Sequence, residues 1–265
     1  MSARRWAFAA SIFVNRSRSL GPRASLTAIR MATTISVSPG QTIRPLSEAD
    51  VSEAAELLGA GFGVSDPLSW TTALDLPPGG FRSWMLYDYL PKQVAGGLGS
   101  LVAVGPSGTL AGVLTMEDMV APEDGDRDPD EPDARGSGYA ALEAMMAQCK
   151  QLFWAEFAAR VSADPAYQST TGRLAYVGFV SVGAEFRRQS VATSLAERSV
   201  VEMRAAQFEF AVVICSNFRS AKTFAKSGFQ RWGGVPYSEF QHPPGAYPFI
   251  TLEPDECCIM VKRLM

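Results

Sequence analysis

The run FEFAVVICS (208–216) constrains the fold of this 265-residue chain more than any other stretch. From Phe210 to Cys215 it is apolar without alternation, so a strand built from it needs cover on both faces. The residues after it, 217 to 227, read as a helix that stops at Gly228, a residue suited to closing one. A doubly covered strand that hands over directly to a helix calls for helices packed against a sheet. The chain is therefore read as a single α/β (α+β) domain.

The neighbouring segments fit that frame. QTIRPLSEAD (41–50) reads as a short strand entering a helix that ends near Leu58, with Ser47, Glu48 and Asp50 where helix starts favour them. RSWMLYDYLPKQV (82–94) reads as a second helix, interrupted at Pro91. SLVAVGPSGTLAGVLTMEDMV (100–120) gives a hairpin around Pro106, Ser107 and Gly108. Residues 122–138 hold seven acids, three prolines and three glycines, the makings of an exposed loop. Beyond it the periodicity predicts a helix over 139–161, a strand over 173–182, a helix over 190–206 and closing strands near 229–239 and 257–264.

Charge and cysteine usage narrow the partners. Seven arginines and no acidic residue precede Glu48, so the rest of the chain carries a net charge of −10 beneath an overall −3. An acidic body argues against nucleic acid, which needs a basic face. The arginine- and serine-rich segment 1–38 reads as a mitochondrial or plastid transit peptide ahead of a domain spanning 39–265; a start at Met31 would instead leave a cytoplasmic protein. No run of eighteen apolar residues occurs, so neither a transmembrane helix nor a membrane partner is expected. Cys149, Cys215, Cys257 and Cys258 have neither zinc spacing nor a secreted disulfide pattern, and His242 is the one histidine, so no metal is expected.

RRQSVATSL (187–195) stands where an apolar strand meets a helix. A helix start leaves N–H groups unpaired at the positive end of the peptide dipole, which suits an anion. Short side chains at Ser190 and Ala192 would let a bulky anion close on the backbone, and Arg187 and Arg188 would add charge-assisted bonds. Alone, the stretch is equally a helix start with solvated charge.

Together with CSNFRSAKTFAKSGF (215–229), it resembles the acetyl-CoA-binding motifs of the GCN5-related N-acetyltransferase superfamily. Val182, Arg187, Arg188, Gln189, Ser190, Val191 and Ala192 occupy the first motif, and Asn217, Ser220, Phe224, Gly228 and Phe229 the second. The resemblance implies a mixed, mostly antiparallel sheet of six to seven strands with helices on both faces. It also implies acetyl-CoA as co-substrate, its pyrophosphate cradled by residues 187–192 and Thr193, with Asn217 also on the cofactor side. A bulge in the strand before the first motif, at Phe179, Val180, Ser181 and Val182, would offer N–H groups to the thioester oxygen. Two departures stand out: Ser190 replaces a glycine, and Phe224 stands where relatives carry a tyrosine acid.

Finer features are similar to the insect-type arylalkylamine N-acetyltransferases. Asp66-Pro67-Leu68 matches an acidic residue before Pro-Leu, one methylene shorter than that branch's glutamate, and Cys215 to Ala221 matches its Cys-Ser-Ser-x-x-Ser-Ala. The resemblance implies a small primary amine as acceptor, Asp66 as base, and Ser216 and Ser220 handling the thiolate or substrate. A polyamine, a lysine or a peptide N-terminus are the alternative acceptors, and a degenerate acyl-CoA-binding module the alternative function. Any acceptor amine must lose a proton before it attacks, which a carboxylate can accept. Glu117 and Asp118 are the alternative bases, while His242 sits in a surface-loop sequence and ranks below them. Phe62, Trp70, Trp84, Tyr87 and Tyr89 are candidates for an apolar amine pocket or for core. Capping of the following helix is the competing role for Ser216.

Overall fold

Among the described residues, the run Phe210–Cys215 is the sixth strand of an eight-stranded sheet ordered β1-β2-β3-β4-β5-β6-β8-β7. The computed structural model describes residues 35–38, 41–62, 66, 80–96, 98–119, 136–252 and 256–265. The strands are β1 Ile35–Ser38, β2 Gln41–Pro45, β3 Leu101–Val104, β4 Leu110–Asp118, β5 Leu174–Val182, β6 Phe210–Cys215, β7 Gln230–Pro236 and β8 Glu256–Arg263. All neighbours pair antiparallel except β5 and β6. That parallel pair needs a crossover, supplied by a helix over Val191–Ala205.

The helices are α1 Val51–Ala60, α2 Gly80–Trp84, α3 Leu90–Gly96, α4 Gly136–Arg160, α5 Ala166–Ser169, α6 Val191–Ala205 and α7 Phe218–Lys226. Residue alternation along the strands splits their packing between two faces. On one face, α6 lays Val191, Leu195, Ala196, Val200 and Met203 against Leu114, Met116, Ala175, Val177, Ala211 and Val213. The other face carries two separate cores. Cys149, Phe153 and Phe157 of α4 cover Leu174, Tyr176, Phe210 and Val212, while α1, α2 and α3 cover Val102, Val113 and Phe179. Between those two cores runs a seam where polar side chains collect.

Local chemistry accounts for most of the boundaries. The backbone N–H and hydroxyl of Ser47 both donate to Asp50, which also takes two hydrogen bonds from Arg44, at 2.6 and 2.7 Å. This carboxylate closes the entry to α1. Seven strands from β2 onward give the expected count, and β1 adds a short hairpin partner from within the stretch that the sequence assigns to the leader. Residues 1–34 of that leader, and Trp70, lie outside the described residues, as does most of the acidic loop. Helix α4 begins at Gly136, three residues inside the expected loop.

The interruption expected at Pro91 does not occur. A π-helical turn over Met85–Tyr89 joins α2 to α3, and Leu90 N–H reaches back to Met85 O. The wider turn resets the hydrogen-bond ladder, so Pro91 falls in a fresh first turn where a missing N–H costs least.

Candidate active site

The sheet opens beside the bulge. β5 and β6 pair as far as Val177↔Val213, after which β5 stays with β4 alone, through Val180, Ser181 and Val182 opposite Leu114, Val113 and Gly112. Between those registers Gly178 and Phe179 face the single residue Thr115, so β5 bulges where the fork begins. Thr115 Oγ1 holds the bulge by accepting from Phe179 N–H (2.9 Å) and from Tyr89 OH (3.0 Å). A Cβ at Gly178 would lie 2.7 Å from Tyr89 OH, so only glycine fits there.

Gly183 N–H donates to Ala111 O, which sets the parity of the ladder. Ser181 then faces β4, while the N–H groups of Val180 and Val182 turn toward the gap left by β6. Of the four bulge residues singled out by sequence, two thus turn N–H groups without a partner among the described residues toward the fork. The other two are spent on structure: Phe179 N–H on Thr115, and the hydroxyl of Ser181, which donates to Leu57 O at 2.8 Å.

At the far end of β5 the chain turns through residues 187–190 into α6. Arg188 and Ser190 have φ of 65° and 63°. Left-handed backbone disfavours a Cβ by about 1 kcal/mol or more, so glycine would be the easier residue at both positions. The Ser190 side chain makes no capping bond. The N–H groups of Val191, Ala192 and Thr193 therefore start α6 without intrahelical partners. Arg187 and Arg188 are exposed, and among the described residues neither guanidinium has a partner. Gln189 is tied down, donating to Glu185 O and accepting from Gln41.

On the β6 arm, the hydroxyl of Ser216 donates to Asp66 Oδ1 at 2.5 Å. Asp66 is 8% exposed, so this contact is made largely out of water. Ser216 does not cap α7; Asn217 does, its Oδ1 accepting from Ser220 N–H at 2.9 Å. That leaves the Ser216 hydroxyl for the carboxylate, while the Asn217 side chain is committed to the helix start rather than turned outward. Tyr237 OH fixes the same residue from behind by donating to Ser216 O at 2.8 Å. Burial, followed by the neighbouring Cys257 and Asp66, raises the Tyr237 phenol well above its usual range and keeps it a donor. Ser220 lies one turn on, its hydroxyl against the Cys215 sulfur.

Glu117 and Asp118 do not act as a pair, because adjacent strand residues point to opposite faces. Asp118 accepts from Gly172 N–H at 2.5 Å, anchoring the turn before β5. Glu117 projects into the seam, where Gln93 hydrogen-bonds it and Lys150 of α4 faces it. Burial pushes its carboxyl up to about 8 against the pull of both neighbours. His242 stays in a turn, its backbone N–H bonded to Ala246 O. Phe224 is fully buried against Phe229 with ring centroids 5.2 Å apart, so it is core. Among the aromatics, Trp84 and Tyr89 are core residues, Phe62 packs on Phe179, and Tyr87 is 78% exposed.

Sequence reading missed Thr115, Tyr237, Gln93 and Lys150. Lys150 alone left a trace, as the one charged residue in the stretch AMMAQCKQLFW.

A parallel pair that forks beside a bulge, with a helix start at the end of one arm, is the fold of the GCN5-related N-acetyltransferases. Among solved structures, the chain is similar to an arylalkylamine N-acetyltransferase 7, putative in its description, from the yellow fever mosquito Aedes aegypti, with a TM-score of 0.66 and 15% identity over 85% of this chain and 88% of that one. It is also similar to arylalkylamine N-acetyltransferase 2 of Aedes aegypti (TM-score 0.58, 17% identity, 85% and 99% covered). A polyamine N-acetyltransferase of Drosophila melanogaster that forms N-acetylagmatine gives 0.55 and 15%, with 84% and 100% covered. No protein-family model and no curated protein sequence matches the chain.

Proposed function

We propose that the protein is an acetyl-CoA-dependent N-acetyltransferase acting on a small primary amine, of the arylalkylamine class. The observation that carries this reading is the Ser216–Asp66 hydrogen bond on one arm of the fork, with the N–H groups of Val180 and Val182 turned toward the gap on the other. The fork suits a thioester in its geometry, since its donors are backbone groups set before any charge develops. Arg187, Arg188 and the first N–H groups of α6 supply the charge and donors that a pyrophosphate needs.

In this reading Asp66 takes one proton from the acceptor ammonium, which frees the nitrogen lone pair. The nitrogen then bonds to the acetyl carbon, and the oxygen's developing charge falls on Val180 and Val182 N–H. As the carbon–sulfur bond breaks, the second nitrogen proton passes to the departing thiolate, with Ser216 and Ser220 at hand to conduct it. Asp66 returns its proton to water.

Thiol release from acetyl-CoA, measured against panels of aryl, polyamine and peptide amines, tests the proposal. Stimulation by an arylalkylamine is the expected result. Acetyl-CoA binding with no amine-stimulated release would mean a binding module rather than an enzyme.

A further inference from the structure

The bulge that turns two N–H groups toward the fork is pinned by side chains. An inserted residue disrupts the strand ladder locally, so a bulge needs another hold if it is to keep one shape. Here Phe179 N–H donates to Thr115 Oγ1 at 2.9 Å, and Tyr89 OH donates to the same oxygen at 3.0 Å. Thr115 and Tyr89 are both fully buried. With both lone pairs engaged, the Thr115 oxygen cannot turn away without stranding a buried donor.

Tyr89 is itself placed by an irregularity. It closes the π-helical turn Met85–Tyr89, a kind of turn frequent at functional sites. Its phenol is pressed against the bulge, since a Cβ on Gly178 would lie 2.7 Å from Tyr89 OH and 3.0 Å from Thr115 Oγ1. Its ring meets that of Phe179 edge-on, with centroids 5.3 Å apart, and Phe62 and Trp84 meet the same ring at 5.0 and 6.0 Å. Burial, followed by Glu117, holds the Tyr89 phenol well above its usual range, so it stays a donor.

Phe179 is therefore gripped twice, by its ring and by its N–H. Val180 is the next residue, and its N–H lies in the planar peptide that starts at Phe179. Holding Phe179 limits how far that plane can turn. A turn would matter, because a hydrogen bond weakens steeply as its angle closes. Thr115 belongs to β4, on the other side of β5 from the gap, so its hydroxyl acts through the bulge.

We propose that Thr115 and Tyr89 are positioning residues for the thioester oxygen: as a two-hydroxyl clamp they fix the bulge at Gly178 and Phe179, and with it the direction of Val180 N–H into the fork. This rests on the acetyltransferase reading above.

Isotope-edited infrared spectroscopy of acetyl-CoA labelled at its thioester carbonyl, bound to the full chain, tests it. The wild type should lower the carbonyl stretch relative to acetyl-CoA in solution. Thr115→Val should lose most of that shift while acetyl-CoA affinity stays within about twofold, and Thr115→Ser, which keeps the hydroxyl, should retain it. With the amine that gives the fastest thiol release, Thr115→Val should lower kcat at least ~10-fold and leave the amine KM within about twofold. Tyr89→Phe should lower kcat about 5-fold and add nothing to Thr115→Val in the double variant, because it acts through that hydroxyl. If Thr115→Val does not fold, the carbonyl stretch and kcat of Tyr89→Phe decide the case. The proposal is overturned if the stretch stays at its wild-type position in these variants, if Thr115→Ser behaves as Thr115→Val, if the two kcat losses multiply, or if the wild type binds no acetyl-CoA. A wild type that shifts the carbonyl but passes acetyl to no amine would sink the enzyme and leave the clamp intact.

Discussion

The two arms of the fork are built from different materials. On the β5 arm the groups that face the gap are main-chain N–H groups, and two exposed arginines flank a left-handed turn at its end. On the β6 arm they are side chains, Ser216 and Asp66, locked together and backed by Tyr237. Main-chain chemistry depends on the path of the backbone and tolerates exchange of side chains. Side-chain chemistry does not. A fold that rests on backbone paths can recur at 15–17% identity, as it does in the structures compared above.

The largest effects should come from the side-chain arm. Asp66→Asn should lower kcat by ~10²-fold or more, and Ser216→Ala should add little to it in the double variant, because the two act as one unit. Steady-state rates that stay within twofold of wild type, or losses that simply add, would show the arms to be alike after all. Thr115→Val should destabilise the fold by about 3 kcal/mol in urea titration, since it strands the Phe179 N–H and the Tyr89 hydroxyl in the interior.

Glu117 gives a pH-dependent case. Its carboxyl is raised to about 8 in the folded chain, so below the ordinary carboxylate range both states hold the proton and nothing is lost. As pH rises toward 8 the unfolded chain ionises first and folding must take up a proton, so stability falls. Glu117→Gln removes that slope, and its stability relative to wild type should rise by on the order of 2 kcal/mol between pH 5 and pH 8, discounted for the solvent contact. A difference that is flat with pH would mean that the carboxyl is ionised throughout.

The main-chain arm should respond more gently. Arg188→Ala should weaken acetyl-CoA binding about 10-fold in calorimetry and leave the amine KM unchanged. An unchanged cofactor affinity would remove Arg188 from the cradle. Ser190→Gly should stabilise the chain by about 1 kcal/mol in urea titration, by releasing a Cβ from left-handed backbone, and should not weaken cofactor binding. Loss of affinity there would assign a direct contact to the hydroxyl.

The fold was largely legible because its signals are local. Phe208 to Ser216 announces a buried strand by composition, Ser47 with Asp50 announces a helix start, and the Pro106 to Gly108 turn announces a hairpin. Each is settled by residues within a few positions of one another. Pro91 misled for the converse reason, since an alternative ladder over Met85–Tyr89 absorbs what local sequence forbids. The site was legible only where motif residues sit together. Asp66 and Ser216 are 150 residues apart, and Lys150 meets Glu117 across two elements that share no pattern. Thr115 reads as a strand residue like its neighbours until the bulge opposite and the Tyr89 hydroxyl each give it a donor.

One contact links the β5 arm of the fork to the first helix. Ser181 sits on the arm whose N–H groups face the gap, and its hydroxyl holds the end of α1 through Leu57 O, pressed so close that Gly61 has no space for a side chain. Asp66 follows Gly61 by five residues, a tether of about 17 Å when fully stretched. Ser181 thus ties the β5 arm to the helix that leads toward Asp66 on the other arm. A change at Ser181 would therefore be felt on both arms at once, through the strand it belongs to and through the helix end it holds.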